Sequence, residues 1–304
     1  MILHILPDGD SIGSTLALGM ALERIGKEVT VCSSDPIPDC YRFLVDSERV
    51  VGWDGVSGVY DAAVLLDCGD LSMAGGLSRI ERFTQTIVNI DHHVTNSRYG
   101  DIVLVEPGAA AAGELAYGVI KGLGVQMDAR MATCLYTSLV TDTGSFRYSN
   151  TTGKTLRLAA DLLDTGVQVA RVNEELFENK PKPSLDLLGI ALGRLRASDD
   201  GKLGWITITE ADFSAVGAGL ADSEGIINYP RSLRGVDLAM LFRESGDGQV
   251  KVSFRSRDGF DVGELAKKFG GGGHAKAAGC VVAGSLDEVQ PVILAAAGRV
   301  VEGK

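Results

Sequence analysis

The sequence predicts an α/β protein in two parts: an N-terminal domain built on a parallel sheet, and a smaller C-terminal α/β domain across a cleft. Three observations carry this expectation. Continuous apolar runs alternate with helical spacing through the first half, as strands covered on both faces require. A charged double-proline stretch, Lys180-Pro181-Lys182-Pro183, then interrupts the pattern. Beyond it, closely spaced strand-like runs replace the alternation. The resulting expectation is an N-terminal domain at 1–178, a linker at 179–188 with its break near residue 183, and a C-terminal domain at 189–304.

The elements follow in order. Residues 2–6 read as a strand that stops at the turn Pro7-Asp8-Gly9-Asp10. Residues 11–25 show helical spacing through Ile12, Thr15, Leu16, Met20 and Leu22, and end at Gly26. Residues 28–32, 62–67 and 86–91 are apolar strands, and 109–122, 129–141, 153–165 and 167–177 are helical. In the second half, 187–197 read as a helix, and 205–209, 236–243 and 249–255 as strands. A short helix at 260–269 leads into a glycine run, followed by a strand at 280–283 and a final helix at 285–301.

Composition removes several classes of function. With 45% hydrophobic and 23% charged residues over 304 positions, the chain can bury a sizeable core, which excludes general disorder. Its 39 glycines follow no triplet period, so they mark turns rather than collagen. No apolar run is long enough to span a membrane, and the N-terminus lacks a basic signal-peptide region. Twenty-nine basic against 40 acidic residues give a net charge of −11, which opposes binding along long or duplex nucleic acid. Five scattered cysteines, Cys32, Cys40, Cys68, Cys134 and Cys280, read as reduced thiols of a cytoplasmic protein. An exposed sheet edge or helix face leaves a homodimer open.

Chemistry gathers at strand ends. Ligand sites of parallel α/β sheets lie beyond the carboxyl ends of the strands. His4, Asp8 and Asp10 follow the first strand, Asp67 ends another, and Asp91, His92 and His93 end a third. Asp142 closes a helix in Thr141-Asp142-Thr143-Gly144. Taken singly, Asp8 and Asp10 also read as a turn and a helix N-cap, and the other two aspartates as solvated ends. Taken together, aspartates converging without a basic partner repel one another, and metal ions resolve that repulsion. Hard oxygens with imidazole suit Mn²⁺, and a pair of such ions serves phosphoryl transfer.

Six segments in order, HILPDGDSIGS (4–14), LLDCGD (65–70), IDHH (90–93), TDTGSF (141–146), VSFRSR (252–257) and FGGGGHAKAAG (269–279), resemble the motifs of the DHH phosphoesterase superfamily. The first four are similar to its catalytic domain and the last two to its DHH-associated substrate domain. The nearest branch in pattern is that of the small oligoribonuclease/pAp phosphatases, or nanoRNases. The resemblance implies two divalent ions, Mn²⁺ first, with Mg²⁺ or Co²⁺ as alternatives. It assigns His4, Asp8 and Asp67 to one ion and Asp10, Asp67, His92 and Asp142 to the other, with Asp67 bridging. His93 would face the scissile phosphate, and Asp91 would orient a histidine. Neighbouring side chains of an extended strand point to opposite sides, so splitting the roles of His92 and His93 is physically sensible.

In the second domain, Arg255 can fork onto a phosphate, with Ser253 and Ser256 as lesser donors. Gly271, Gly272 and Gly273 let backbone N–H groups approach an anion, and His274 can bond a phosphate or stack on a base. The implied activity is hydrolysis of short single-stranded RNA and linear dinucleotides such as pGpG and pApA to mononucleotides, and of pAp to AMP. A cyclic-dinucleotide phosphodiesterase is the alternative. A manganese inorganic pyrophosphatase shares the first four motifs, but the glycine run with His274 counts against it. A degenerate nucleotide-binding module would have lost ligands, and all the expected positions are filled. Three departures from the family pattern stand out: Leu6 where asparagine is usual, Gly113 where threonine is usual before Glu114, and a start at the first strand with no preceding helix.

Overall fold

A computed structural model describes residues 1–75, 77–246, 248–257 and 259–303, with the backbone alone for Leu77, Ser78 and His274. The chain divides into two units, Met1–Asn179 and Lys180–Lys304.

The first unit holds a parallel sheet of β1 (Ala63–Leu66), β2 (Ile87–Asp91) and β3 (Ile102–Val105) in that order. Ile2 extends it by single parallel bridges to Leu65 and to Cys32, and Cys32 bridges Val51. The two expected strands at 2–6 and 28–32 are therefore reduced to bridges. Leu6 takes a left-handed conformation and Pro7 follows it, so no ladder can run on. β3 was not expected, because four apolar residues between Asp101 and Glu106 show no alternation to read.

Helices α1 (Gly9–Arg24), α2 (Leu77–Ile80), α3 (Ala112–Gly122), α4 (Ala129–Asp142), α5 (Gly153–Asp164) and α6 (Val169–Asn173) complete the unit, with a π turn at Glu174–Glu178. The main core joins Leu3, Ile12 and Leu16 to Leu115, Leu135 and Leu139. α1 and α4 cross in very close contact. A Cβ on Gly13 would lie 2.3 Å from the Cys134 carbonyl oxygen, and one on Gly9 would lie 2.4 Å from the Thr141 side chain. Only glycine permits this approach, which brings Asp10 on α1 beside Asp142 at the end of α4.

The second unit starts with α7 (Lys182–Gly193), so most of the segment expected as a linker at 179–188 is helical. Pro181 and Pro183 stand at the helix start, where proline's fixed φ and missing N–H do no harm. Its sheet has the order β4 (Arg196–Ala197), β5 (Leu203–Ile208), β6 (Leu238–Glu244), β7 (Gln249–Ser256), β9 (Ala277–Ala283) and β8 (Gly272–His274). β5 and β6 are parallel, and the other pairs are antiparallel. The short helices α8 (Glu210–Val216) and α9 (Asn228–Ser232) precede β6, α10 (Val262–Lys267) follows β7, and α11 (Leu286–Glu302) ends the chain.

β6 is buried on both faces. Leu238, Met240 and Phe242 share a core with α10 and α11, while Ala239 and Leu241 pack with Leu187, Ile206 and Phe213. The end of the glycine run, with His274, forms the edge strand β8. No helix among the described residues is long and apolar enough to cross a membrane.

Candidate functional site

Each strand end of the first unit delivers its side chain by a local device. Asp8 is the N-cap of α1, and its Oδ1 accepts the Asp10 and Ser11 N–H groups at 3.0 and 3.1 Å. Asp67 follows β1 in a left-handed conformation that aspartate tolerates better than most residues. Its two oxygens face different histidines: Oδ2 lies 3.6 Å from His4 Nε2, and Oδ1 lies 3.3 Å from His92 Nε2.

The histidines are aimed from behind. His4 Nδ1 donates to the Ile5 carbonyl at 2.7 Å and His92 Nδ1 to the Ala109 carbonyl at 3.2 Å, which leaves both Nε2 atoms for the aspartates. His4 Nε2 stands 3.8 Å from Asp8, and His92 Nε2 stands 3.5 Å from Asp10 and 3.7 Å from Asp142. His4, Asp8 and Asp67 thus offer ligand atoms within 4.8 Å of one another, as do Asp10, His92 and Asp142.

Asp10 is 1% exposed and sits in a built cradle. Its Oδ1 accepts the Ser138 hydroxyl at 2.5 Å and the Gly113 N–H at 3.1 Å, and its Oδ2 accepts the Ala112 N–H at 2.7 Å. The donors at Ala112 and Gly113 are the first turn of α3, where N–H groups lack partners within the helix. A carboxylate has about four lone-pair sites, so these bonds leave one, on the oxygen that faces His92. Ser138 was not singled out in the sequence, although it lies one helical turn before Asp142. Gly113 now has a reason: a Cβ there would meet Ser138 Oγ at 2.0 Å.

His93 is held differently. Its Nδ1 donates to Asp91 Oδ1 at 2.6 Å, and Asn96, also not anticipated, donates to Asp91 Oδ2 at 2.5 Å. Asp67, His92 and His93 also lie close enough to share an ion. The His93 nitrogen nearest Asp67, at 3.6 Å, is the Nδ1 already given to Asp91.

Charge in the cluster is unbalanced. Burial favours neutral imidazole at His4 and His92, but hydrogen bonds and charge from Asp67, with Asp8 or Asp10 and Asp142, prevail and push both up to about 11. Burial and the neighbouring Asp67 and Asp142 charges raise Asp10, and burial with Asp67 and Asp8 pushes Asp142 up to about 7, against the pull of His92. Asp67 stays below the usual carboxylate range because its bonds from His4 and His92 outweigh its burial. In the metal-free protein, protons stand in for missing cations. Imidazole and carboxylate at this spacing fit a divalent ion, which would take the place of those protons.

In the second unit, Ser253 and Arg255 alternate along β7 on one face, opposite Gly279 and Ala277 of β9. Gly272 pairs with Gly279 and His274 with Ala277, so their register positions fall on the same face; the His274 side chain lies outside the described residues. A Cβ on Gly272 would meet nothing within 4 Å, which leaves its backbone open to an approaching group. Gly271 and Gly273 answer a different need. A Cβ there would lie 2.1 Å from the Gly279 carbonyl and 2.5 Å from the Ala277 carbonyl, so these glycines let β8 close on β9. Ser256 is a correction. It is 1% exposed, on the opposite face from Ser253 and Arg255, and its hydroxyl is spent on the Phe260 and Ala275 carbonyls at 2.8 and 3.1 Å. It ties down a loop and does not share the face of Ser253 and Arg255.

A parallel sheet with imidazoles and aspartates at its strand ends agrees with what the sequence matches: the DHH family N-terminal domain over residues 1–139, and the DHHA1 domain over 214–303. The chain belongs to the DHH family, and its class is that of a hydrolase of phosphoester bonds. It is 37% identical over 296 residues to the bifunctional oligoribonuclease and PAP phosphatase NrnA of Thermus thermophilus, across 96% of this chain and 87% of that protein. The protein of the same name from Bacillus subtilis is 25% identical over 293 residues, across 95% and 90% of the two chains. An exopolyphosphatase-related protein from Bacteroides fragilis has the same fold, with a TM-score of 0.91 and 27% identity, covering 96% of this chain and 89% of the other.

Proposed function

We propose that this protein is a two-metal phosphodiesterase that cuts 5′-phosphorylated dinucleotides and other very short RNAs to mononucleotides, and releases phosphate from pAp to leave AMP. The observation that carries this is the pair of ligand groups, His4–Asp8–Asp67 and Asp10–His92–Asp142, with one Asp67 oxygen turned to each. The names of the Thermus and Bacillus relatives point to the same substrates.

One ion would be held by His4, Asp8 and Asp67, and the other by Asp10, Asp67, His92 and Asp142. Mn²⁺ suits this mixture of oxygen and imidazole best, with Mg²⁺ or Co²⁺ as alternatives. Bound ions would lower the pKa of a water and balance charge on the phosphoryl oxygens. The remaining work falls to the chain. His93, its Nδ1–H fixed on Asp91, would turn its ring to the scissile phosphate or the leaving oxygen. Asp91 and Asn96 hold that ring in one tautomer and one orientation. Arg255, Ser253, the open backbone at Gly272 and His274 bind a substrate phosphate or base in the second unit. Five cysteines free of disulfides favour a reducing compartment, the cytoplasm.

The test is a product time course with Mn²⁺ on pAp, pGpG, pApA, a five-nucleotide 5′-phosphorylated RNA, cyclic di-AMP and pyrophosphate. Mononucleotide release from the linear dinucleotides, absent in Asp67→Ala, is the expected result. Turnover of pyrophosphate alone, or of the cyclic dinucleotide alone, would replace this reading with one of those activities. No turnover of any of them by metal-loaded protein would end it.

A further inference from the structure

Arg243 stands out as a buried cation with no ion pair among the described residues; Glu224 acts on it through charge alone. It lies on β6, on the same sheet face as Lys251, Ser253 and Arg255: Arg243 pairs with Lys251, Leu241 with Ser253, and Ala239 with Arg255. Its side chain is 8% exposed. Among the described residues its guanidinium forms no ion pair, and its Nε has no hydrogen-bond partner. Its two bonds go to neutral hydroxyls, Ser223 at 3.0 Å and Ser253 at 2.5 Å. A buried cation without an anion is costly, and a neutral side chain of similar size would fill this space without that cost.

The two serines differ in a telling way. Ser223 Oγ accepts from Arg243 and donates to the Leu220 carbonyl at 2.6 Å, so its capacity is spent within the fold. Ser253 Oγ accepts from Arg243, and among the described residues its own O–H meets no acceptor. A hydroxyl whose oxygen is taken up by a guanidinium is left as a donor, and a donor backed by a cation suits an anion. The face around it agrees. Burial and the charge of Arg255 push Arg243 down to about 10 against the pull of Glu224, and burial and the charge of Arg243 lower Lys251. Three cations therefore share one strand pair, and Gly272, two strands away on the same face, has an open backbone.

We infer that Arg243 is a positioning residue for a substrate phosphate that is not cleaved: it turns the Ser253 hydroxyl into a fixed donor and sets a buried positive charge beneath that phosphate. The inference rests on the proposed dinucleotide substrates and deepens that reading. It makes the 5′-terminal phosphate the group recognised on the β6–β7 face.

The experiment compares pApA with ApA, which lacks the 5′-phosphate, in the full-length Mn²⁺-loaded protein and in Arg243→Gln, Arg243→Lys and Ser253→Ala. The wild type should prefer pApA. Arg243→Gln should raise KM for pApA by about tenfold or more, equivalent to about 1.4 kcal/mol, and leave KM for ApA and kcat for both unchanged. Arg243→Lys, which keeps charge but not the fork to two serines, should fall between. Ser253→Ala should raise KM for pApA by a larger factor than KM for ApA, which keeps the test open if the Arg243 variants fail to fold. Calorimetric binding of AMP against adenosine to the metal-free protein reads the same contrast without turnover. If the wild type binds AMP better than adenosine but hydrolyses neither dinucleotide, the proposed activity fails and the phosphate site stands. Equal losses for pApA and ApA, or no preference for the phosphorylated ligand in either assay, would overturn the inference.

Discussion

Replacing Gly113 by alanine should weaken the protein through Asp10, a proposed metal ligand that the substitution does not itself alter. A Cβ at residue 113 would sit 2.0 Å from Ser138 Oγ and 2.9 Å from Ser138 Cβ, so either α3 retreats or Ser138 leaves its rotamer. Both movements strike Asp10 Oδ1, which accepts the Gly113 N–H at 3.1 Å and the Ser138 hydroxyl at 2.5 Å. Overpacking a filled interior costs about 1–3 kcal/mol. A hydrogen bond lost from a buried charged group costs about 1.5–3 kcal/mol more. The expected destabilisation is thus roughly 2.5–6 kcal/mol. A ligand displaced by about 1 Å should also lower turnover about 10²-fold. Urea unfolding and Mn²⁺-dependent turnover would be measured for Gly113→Ala, Ser138→Gly and the double variant. Ser138→Gly removes both atoms that the new methyl would strike. In its presence Gly113→Ala should cost little more, which makes the cycle non-additive by about 2 kcal/mol. An additive cycle, or a Gly113→Ala cost under about 0.5 kcal/mol, would refute the packing argument.

Other consequences follow from single features. If His93 acts on protons as proposed, His93→Asn should lower kcat by about 10²–10⁴ with metal content unchanged; elemental analysis showing lost metal would make His93 a ligand instead. Leu6 is 68% exposed with φ +53°. Leu6→Asn should therefore stabilise by about 0.5–1 kcal/mol, since asparagine accepts this conformation more readily; an unchanged or lower Tm would count against it. In the metal-free protein, His4 and His92 are raised to about 11, against about 6.5 in an unfolded chain. Their contribution is complete below about pH 6.5 and is lost as pH climbs towards their folded values. Asp142, raised to about 7, works in the same direction: its share is present below its unfolded value and gone above the raised one. Metal-free Tm should therefore fall between about pH 6 and pH 9, and Mn²⁺ should raise it more at the higher pH, where fewer protons compete. An equal Mn²⁺ shift at both would contradict the exchange of protons for metal.

What was legible in the sequence is what short-range rules control. Strand ends follow from apolar runs stopped by turns, so Asp67, Asp91 and His92 could be placed at one edge of a sheet before any coordinates. The same period of two that defines a strand also separates Ser256 from Ser253 and Arg255, and alternation alone assigns it to the other face. The strand in the glycine run was not legible because glycine carries no periodicity. Gly271 and Gly273 are needed for the approach of β8 to β9, a demand set by a strand that comes later in the chain. Ser138 and Gly113 belong to the Asp10 cradle only because α1, α3 and α4 meet there, and Gly9 and Gly13 make that meeting close.

Arg243 was the least legible, since a basic residue near the end of a strand ordinarily reaches solvent. Its burial requires β6 to be covered on both faces, which depends on α7 and α8 on one side and on α10 and α11 on the other. Its charge also changes the meaning of the overall acidity. A net charge of −11 conceals two local excesses of opposite sign: aspartates at the strand ends of the first unit, and cations on one face of the second. Metal at the aspartates would neutralise the first of these excesses, so phosphate affinity there should rise with metal occupancy. The cationic face alone would favour phosphorylated ligands whether metal is bound or not.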